Sequence, residues 1–249
     1  GEYLFKLKGS APSGIERILT RSLVALEARQ VQLVTLGGSP AHALASVYTY
    51  EYDHGHQALR LTRNGVSEIG SGIGQIETYS DYLCVSAPLS GHVAVLDRRD
   101  ARLLRKIPIG GEPYALGVQA GYLWSFDARD GELVAIDRRL KVYRRAQIPQ
   151  LRGALSVRAV TIDELELLAV LSRRGELWLI NAEAILSNQI NRAVISIHLL
   201  RGASTSQEEA VMGQLQVWRG LGLFVAVFSR TLYAFDLNAL SQETLTPAW

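Results

Sequence analysis

Two arginine doublets are the most distinctive candidate chemistry in this chain. Arg98-Arg99 follows Asp97, and Arg138-Arg139 follows Asp137, so the same basic pair ends two similar segments. More basic residues come after each doublet: Arg102, Arg105 and Lys106 after the first, and Lys141, Arg144 and Arg145 after the second. Because the N–H fork of a guanidinium matches paired oxygens, the pattern predicts a binding surface for phosphates or for an acidic protein. The structural alternative is that arginine and lysine protect edge strands from aggregation.

A histidine pair is the candidate for transition-metal binding in the sequence. Asp53-His54-Gly55-His56 places two imidazoles beside a carboxylate, and His-x-His can chelate zinc or copper. A stable site needs three or four ligands, and no cysteine or fixed histidine partner is evident. His42, His92 and His198 are scattered, and we expect His92 to be an exposed strand residue rather than a general base. We therefore predict no metal site and no cofactor.

No catalytic motif stands out. The segment from Gly70 to Gly74 lacks the spacing of a nucleotide-binding loop, so it is predicted to be a connection. The acidic segment from Asp163 to Glu166 lacks the spacing of a calcium loop and is predicted to be a solvated turn. Gly-x-Ser-x-Gly, His-Glu-x-x-His and Cys-x-x-Cys are all absent from the sequence. We predict no catalytic residue.

The composition is that of a folded globular protein. Apolar residues make up 48% and charged residues 20%, with a net charge of only +2, so basic character must come from local clusters. Cys84 is the only cysteine; it is predicted to be buried and favours the cytoplasm or another reducing compartment. No apolar run approaches the ~18 residues of a membrane span. Because the chain begins at Gly1 without Met, we expect a domain excised from a larger protein.

A short segment recurs along the chain, and this repeat is the main fold signal. Clear copies occupy residues 91–97, 131–137, 175–181 and 230–236, and weaker copies occupy residues 23–27 and 58–62. The closing polar residues are separated by 35, 35, 40, 44 and 55 positions. Most of these intervals lie near the length of a propeller blade, which is about 40 to 50 residues.

The clearest repeat predicts four short strands, at residues 114–119, 121–126, 132–137 and 142–148. Asp130-Gly131 predicts a tight turn between the second and third strands, because these residues tolerate positive φ. A sheet of this size cannot bury both faces alone, so neighbouring sheets must stack around an axis. We predict an all-β propeller of about six four-stranded blades, formed as one domain by residues 1–249.

The ends and two insertions complicate this pattern. In the first copy we assign residues 2–7, 22–27 and 30–36 to the second, third and fourth strands, which leaves no innermost strand. Residues 243–249 could complete that blade, or the parent chain could have a seventh. Insertions are predicted near residues 8–21, with a helical turn after Ser13, and residues 182–214, with a helix over 183–189 and a polar loop over 202–209.

The third-strand pattern Gly-x-Leu-x-x-x-Asp and the Gly-Gly-x-Pro that starts at Gly110 resemble YVTN-type and quinoprotein-like propellers of the WD-repeat-like group. The resemblance covers nearly the whole chain and implies the propeller fold. No Trp-Asp dipeptide ends a third strand, which is unlike a standard WD-repeat protein. The Trp-rich repeats of quinoprotein dehydrogenases are also absent.

These observations favour a non-enzymatic protein-interaction scaffold within a larger assembly. One alternative is a small-ligand-binding or hydrolytic propeller with a site in the central channel. The expected first-strand residues 114–118 and 154–157 are mostly apolar, which disfavours that alternative. A further alternative is a polyanion-binding surface for nucleic acid or acidic lipid, formed by the arginines and marked by strong salt dependence.

Overall fold

Antiparallel β-sheet dominates the computed structural model of this chain. The structure describes residues 19–25, 30–39, 41–53, 58–154, 156–162, 165–172, 176–199, 215–218, 221–226 and 231–236. Within them, five sheets follow one another along the chain, and in each sheet the strands pair in sequence order. Such meanders are the arrangement that short strands separated by tight turns favour.

The first sheet contains β1 (Leu19–Ala25), β2 (Gln30–Gly38), β3 (Ala43–Asp53) and β4 (Ala58–Gly70). The second contains β5 (Ile76–Tyr79), β6 (Tyr82–Ala87), β7 (His92–Asp97) and β8 (Leu103–Pro108). The third contains β9 (Pro113–Gln119), β10 (Tyr122–Asp127), β11 (Glu132–Ile136) and β12 (Val142–Gln147). The fourth contains β13 (Ser156–Ile162), β14 (Leu165–Leu171), β15 (Glu176–Asn181) and β16 (Val194–Leu199).

Three strands of a fifth sheet are described, namely β17 (Gln216–Trp218), β18 (Leu221–Ala226) and β19 (Thr231–Asp236). The helix α1 (Ala182–Leu186) follows β15, and Asn181 caps it by accepting a hydrogen bond from the backbone N–H of Ala184. Short 3₁₀ turns occupy Pro88–Ser90, Pro149–Leu151 and Ile190–Arg192. None of the described helices is long and apolar enough to cross a membrane.

The hydrophobic cores lie between successive sheets. Leu36 of the first sheet and Leu83 of the second are buried in one cluster. The opposite face of the second sheet buries Cys84 in another cluster. The third and fourth sheets share a cluster that contains Trp124 and Trp178. The first strands of successive sheets also contact one another. Each sheet therefore depends on its neighbours for burial of its apolar faces, as expected when blades stack around an axis.

The four clear copies of the repeat are confirmed as third strands, since they form β7, β11, β15 and β19. The two weak copies are not third strands. Residues 23–25 end β1, which is the first strand of its sheet, and residues 58–62 begin β4, which is the fourth. The assignment of residues 30–36 to a fourth strand was also wrong, because they belong to the second strand β2. Residues 2–7 and 243–249 lie outside the described part of the chain.

The predicted turn at Asp130-Gly131 is longer than a two-residue hairpin. β10 ends at Asp127 and β11 begins at Glu132, and Gly131 has a φ of 69°. In the two predicted insertions, residues 19–21 form the start of β1, and α1 and β16 lie within residues 182–199. Residues 8–18 and 200–214 lie outside the described part of the chain.

Candidate interaction surface

Both arginine doublets lie in turns between a third and a fourth strand. Oδ1 of Asp97 accepts a hydrogen bond from the backbone N–H of Arg99 at 2.8 Å. Oδ1 of Asp137 accepts from the backbone N–H groups of Arg139 and Lys141, both at 2.9 Å. An aspartate that bonds to backbone two residues ahead stabilises a turn. The closing aspartate of the repeat therefore shapes the turn that displays the arginines.

The two turns lie on the same face of the molecule. In a meander, the turn from the first to the second strand and the turn from the third to the fourth strand share one edge of the sheet. Tyr79, at this edge of the second sheet, donates its hydroxyl hydrogen bond to the carbonyl oxygen of Gly121 at 2.8 Å. Its hydroxyl also lies 3.4 Å from the carbonyl oxygen of Ile136, which directly precedes the second turn. Tyr79 thus joins the same edges of the two sheets.

Most of the guanidinium groups at this edge are accessible. Arg99, Arg102, Arg138 and Arg139 are exposed, whereas Arg98 is half-buried. Within the described part of the chain, those four exposed guanidinium groups form no ion pair within 4.0 Å. We define the basic turn surface as Arg98, Arg99, Arg102, Arg138, Arg139 and Lys141.

The structure separates Arg144 and Arg145 from that surface. The guanidinium of Arg144 lies 3.4 Å from the side-chain oxygen of Asn188 and 3.4 Å from the carbonyl oxygen of Leu186, beside α1. Arg145 forms an ion pair with Glu132 at 2.6 Å and donates to the carbonyl oxygen of Ile109 at 2.9 Å. Both arginines therefore connect parts of the fold. Arg105 is exposed on β8.

A second polar group connects the first strands of three sheets. Glu77 on β5 and Arg158 on β13 approach to 3.8 Å, with side chains that are 30% and 15% exposed. The carbonyl oxygen of Leu116 on β9 lies 3.4 Å from the Arg158 guanidinium and accepts from the side-chain amide of Gln75 at 2.8 Å. We call Gln75, Glu77, Leu116 and Arg158 the inner cluster.

His92 is buried, so the expectation of an exposed strand residue was wrong. Its side chain packs toward the first sheet, where Nε2 lies 2.7 Å from the carbonyl oxygen of Ile69 and Nδ1 lies 3.3 Å from that of Ser90. Cys84 is buried on β6, and this burial raises the pKa of its thiol to about 12. That thiol has no thiolate character at neutral pH.

The described residues contain no group of three or more His, Cys, Asp or Glu side chains placed to hold a metal ion. His54 and His56 lie outside the described part of the chain, and so do Asp163 and Glu164. The segment from Gly70 to Gly74 connects β4 to β5.

Known structures resemble this architecture, although no family model matches the chain and no curated protein sequence matches it significantly. The structure of BBS1N in complex with ARL6DN is 15% identical, with a TM-score of 0.56 over 89% of this chain and 61% of that one. Sqt1 from Saccharomyces cerevisiae is 14% identical, with a TM-score of 0.57 over 91% of this chain and 60% of that one. BBS1N and Sqt1 are propellers. The fold is a β-propeller.

A third similar structure is a catalytically inactive virginiamycin B lyase from Staphylococcus aureus with quinupristin. It is 7% identical, with a TM-score of 0.54 over 90% of this propeller and 88% of that chain. At these identities, the likeness shows the fold alone. The propeller described here spans less than two thirds of the BBS1N and Sqt1 chains.

The inner cluster of this propeller was not apparent from the sequence. Glu77 and Arg158 are single charged residues in otherwise ordinary strands, and 158 directly follows the apolar segment assigned to a first strand. The available signal was that each residue is the only charged one in its strand, Glu77 in β5 and Arg158 in β13. Nothing local indicated that residues so far apart in sequence would meet, because only the stacking of blades brings β5, β9 and β13 together.

Glu77 is expected to make the propeller more stable at mildly acidic pH. Burial raises the pKa of the Glu77 carboxyl above its usual 4.5, and this effect exceeds the lowering by Arg158. The folded carboxyl therefore binds a proton more readily than the unfolded one. Protonation of Glu77 stabilises the folded state fully below about pH 4.5, and this stabilisation is lost as pH rises through the raised pKa. When pH is lowered from 7 to 5, the unfolding free energy of wild type, measured by urea titration, should increase more than that of the Glu77→Gln variant.

The matched control for this measurement is Glu112→Gln, which removes an exposed carboxylate from a loop between blades. Its pH dependence should follow that of wild type. A Glu77→Gln profile parallel to wild type across this range would contradict the assigned cause.

Proposed function

We propose that this propeller is a non-enzymatic protein-interaction module that uses the basic turn surface to dock an acidic protein partner within a larger assembly. The observation that supports this best is the exposure of Arg99, Arg102, Arg138 and Arg139 on one face, with no ion pair among the described residues. We further propose that residues 1–249 form this one domain.

The rigidity of the turns supports a docking role. The backbone of each turn is held by the carboxylate of Asp97 or Asp137, so little backbone entropy remains to be lost when a partner binds. Arginine is also among the residue types enriched at the centres of protein interfaces. The structure of BBS1N with ARL6DN provides an example of a propeller in a protein complex.

Charge reversal at one exposed arginine of each doublet tests this proposal. The partner would first be captured from native extract, identified and purified, and its affinity for the propeller then measured by calorimetry. Arg99→Glu combined with Arg139→Glu is expected to weaken binding by about tenfold or more, because two attractive contacts become repulsive. The affinity of wild type should also fall as salt concentration rises.

The matched control is Arg129→Glu combined with Arg152→Glu, at the opposite edge of the third sheet. Both of these side chains are exposed, and both contact Asp130. Binding unaffected by the first pair but lost with the control pair would move the interface to the other face. If wild type retains no macromolecule, the alternative of a small ligand at the inner cluster becomes the stronger one.

A further inference from the structure

The outer strand of each complete sheet contains a β-bulge, and two of these bulges display apolar side chains beside the arginine doublets. The pairing registers of β8, β12 and β16 each skip one residue, namely Leu104, Tyr143 and Ile195, whereas that of β4 skips two, Asn64 and Ile69. Leu104 is 41% exposed and Tyr143 is 51% exposed. In the other two sheets the skipped residues are the polar Asn64 and two apolar residues that pack in core clusters, Ile69 and Ile195.

A bulge changes the direction of a side chain, and bulges often serve this purpose at functional sites. Leu104 and Tyr143 each come shortly after a basic turn, so each of the two blades presents arginines next to an exposed apolar side chain. Val142 adds to the apolar surface at 37% exposure.

The side chain of Tyr143 is also held in place. Its ring packs against that of Tyr122, with ring centroids 5.1 Å apart and ring planes inclined by 38°. An aromatic side chain that is exposed and already ordered loses little entropy when it binds a partner. Tyrosine and arginine are two of the residue types that dominate binding energy at interfaces.

We infer that the basic turn surface binds an extended acidic peptide segment that also carries large apolar side chains. The carboxylates of the peptide would face Arg99 and Arg139. Its apolar side chains would cover Leu104 on β8 and Tyr143 on β12, the outer strands of the second and third blades. This inference rests on the proposed function and narrows its partner. Charge complementarity selects an acidic segment, and the two apolar side chains give a peptide contacts that a phosphate backbone does not provide.

Peptide display tests the inference without knowledge of the natural partner. A random peptide library is selected on the full 249-residue chain and counter-selected on the Arg99→Glu, Arg139→Glu variant. The enriched peptides are expected to combine Asp or Glu with Leu, Phe or Trp. For the best peptide, fluorescence anisotropy should show binding at least about tenfold weaker with Leu104→Ser and Tyr143→Ser combined.

The matched control is Ile197→Ser, which truncates an apolar side chain of similar exposure, 39%, on the outer strand of the fourth sheet. The affinity of the Ile197→Ser variant for the peptide should stay within about twofold of that of wild type, since Ile197 lies away from both doublets. A second measurement leaves the propeller unchanged and replaces the apolar residues of the peptide by serine. This change should weaken binding as much as the Leu104→Ser, Tyr143→Ser variant does.

The possible failures are distinguishable. If enriched peptides are acidic but not apolar, or if heparin and single-stranded DNA compete while the serine variants bind normally, the surface recognises charge alone and this inference is wrong. In that case the arginine variants still lose binding. If no peptide remains after counter-selection on the Arg99→Glu, Arg139→Glu variant, the proposed function fails as well.

Discussion

Replacing Trp124 by alanine is expected to lower the free energy of unfolding by about 3–5 kcal/mol. The Trp124 side chain is fully buried in the cluster shared by the third and fourth sheets. Its indole Nε1 donates a hydrogen bond to the carbonyl oxygen of Gln119 at 3.1 Å. The substitution would leave a large cavity and remove this hydrogen bond, and both effects destabilise the folded state.

Urea titration followed by circular dichroism measures this loss. Trp124→Phe is the matched comparison, because it removes the hydrogen bond but keeps most of the apolar volume, so a smaller loss is expected. Natural domains have unfolding free energies of about 5–15 kcal/mol, so Trp124→Ala should remove a large share of the total. A loss below about 1 kcal/mol would contradict the packing of the third blade against the fourth through this side chain.

The sequence predicted the second, third and fourth blades well because their information is local. In these blades each third strand is short, ends at Asp or Asn or one residue before it, and is preceded by glycine, so the repeat is visible without knowledge of the tertiary structure. Asp97 and Asp137 act within their own turns, which is why the positions of the arginine doublets could be predicted from the pattern. Features of this kind depend on residues only a few positions apart.

The first blade was assigned incorrectly because its strands are long and lack that pattern. β3 has 11 residues and β4 has 13, so the spacing of turns no longer marks the order of strands. Alternation of apolar residues shows that a strand exists, but it does not show which position the strand takes in the sheet. The burial of His92 has a related cause, since its ring is buried against Ile69 of this blade.

The roles of the remaining arginines depended on tertiary contacts. Arg144 and Arg145 continue the basic pattern along the chain, yet they contact Leu186 and Ile109, which belong to the next and the preceding blade regions. In the same way, Glu77 and Arg158 meet only because blades stack. Charge clusters in the sequence therefore showed which segments are basic, and the structure showed which of those charges are accessible.

Gly65→Ala is expected to lower the unfolding free energy by about 1–3 kcal/mol and to weaken binding at the basic turn surface. A Cβ at Gly65 would overlap the carbonyl oxygen of Asp100 and lie 2.6 Å from its carbonyl carbon. The neighbouring Asn64 donates its side-chain amide to the carbonyl oxygen of Arg99 at 3.1 Å. Because the contacts are with backbone, the turn that carries Arg99 must move away from the first blade.

The control is Gly37→Ala, where an added Cβ meets no atom within 4 Å and stability should change little. Thermal unfolding measures the first effect, and anisotropy with an acidic peptide measures the second. If Gly65→Ala is destabilised but binds normally, the turn is docked as described and its exact position is unimportant for binding. If both properties match wild type, the first blade does not pack closely against this turn, and the fold does not hold Arg99 in place for a partner.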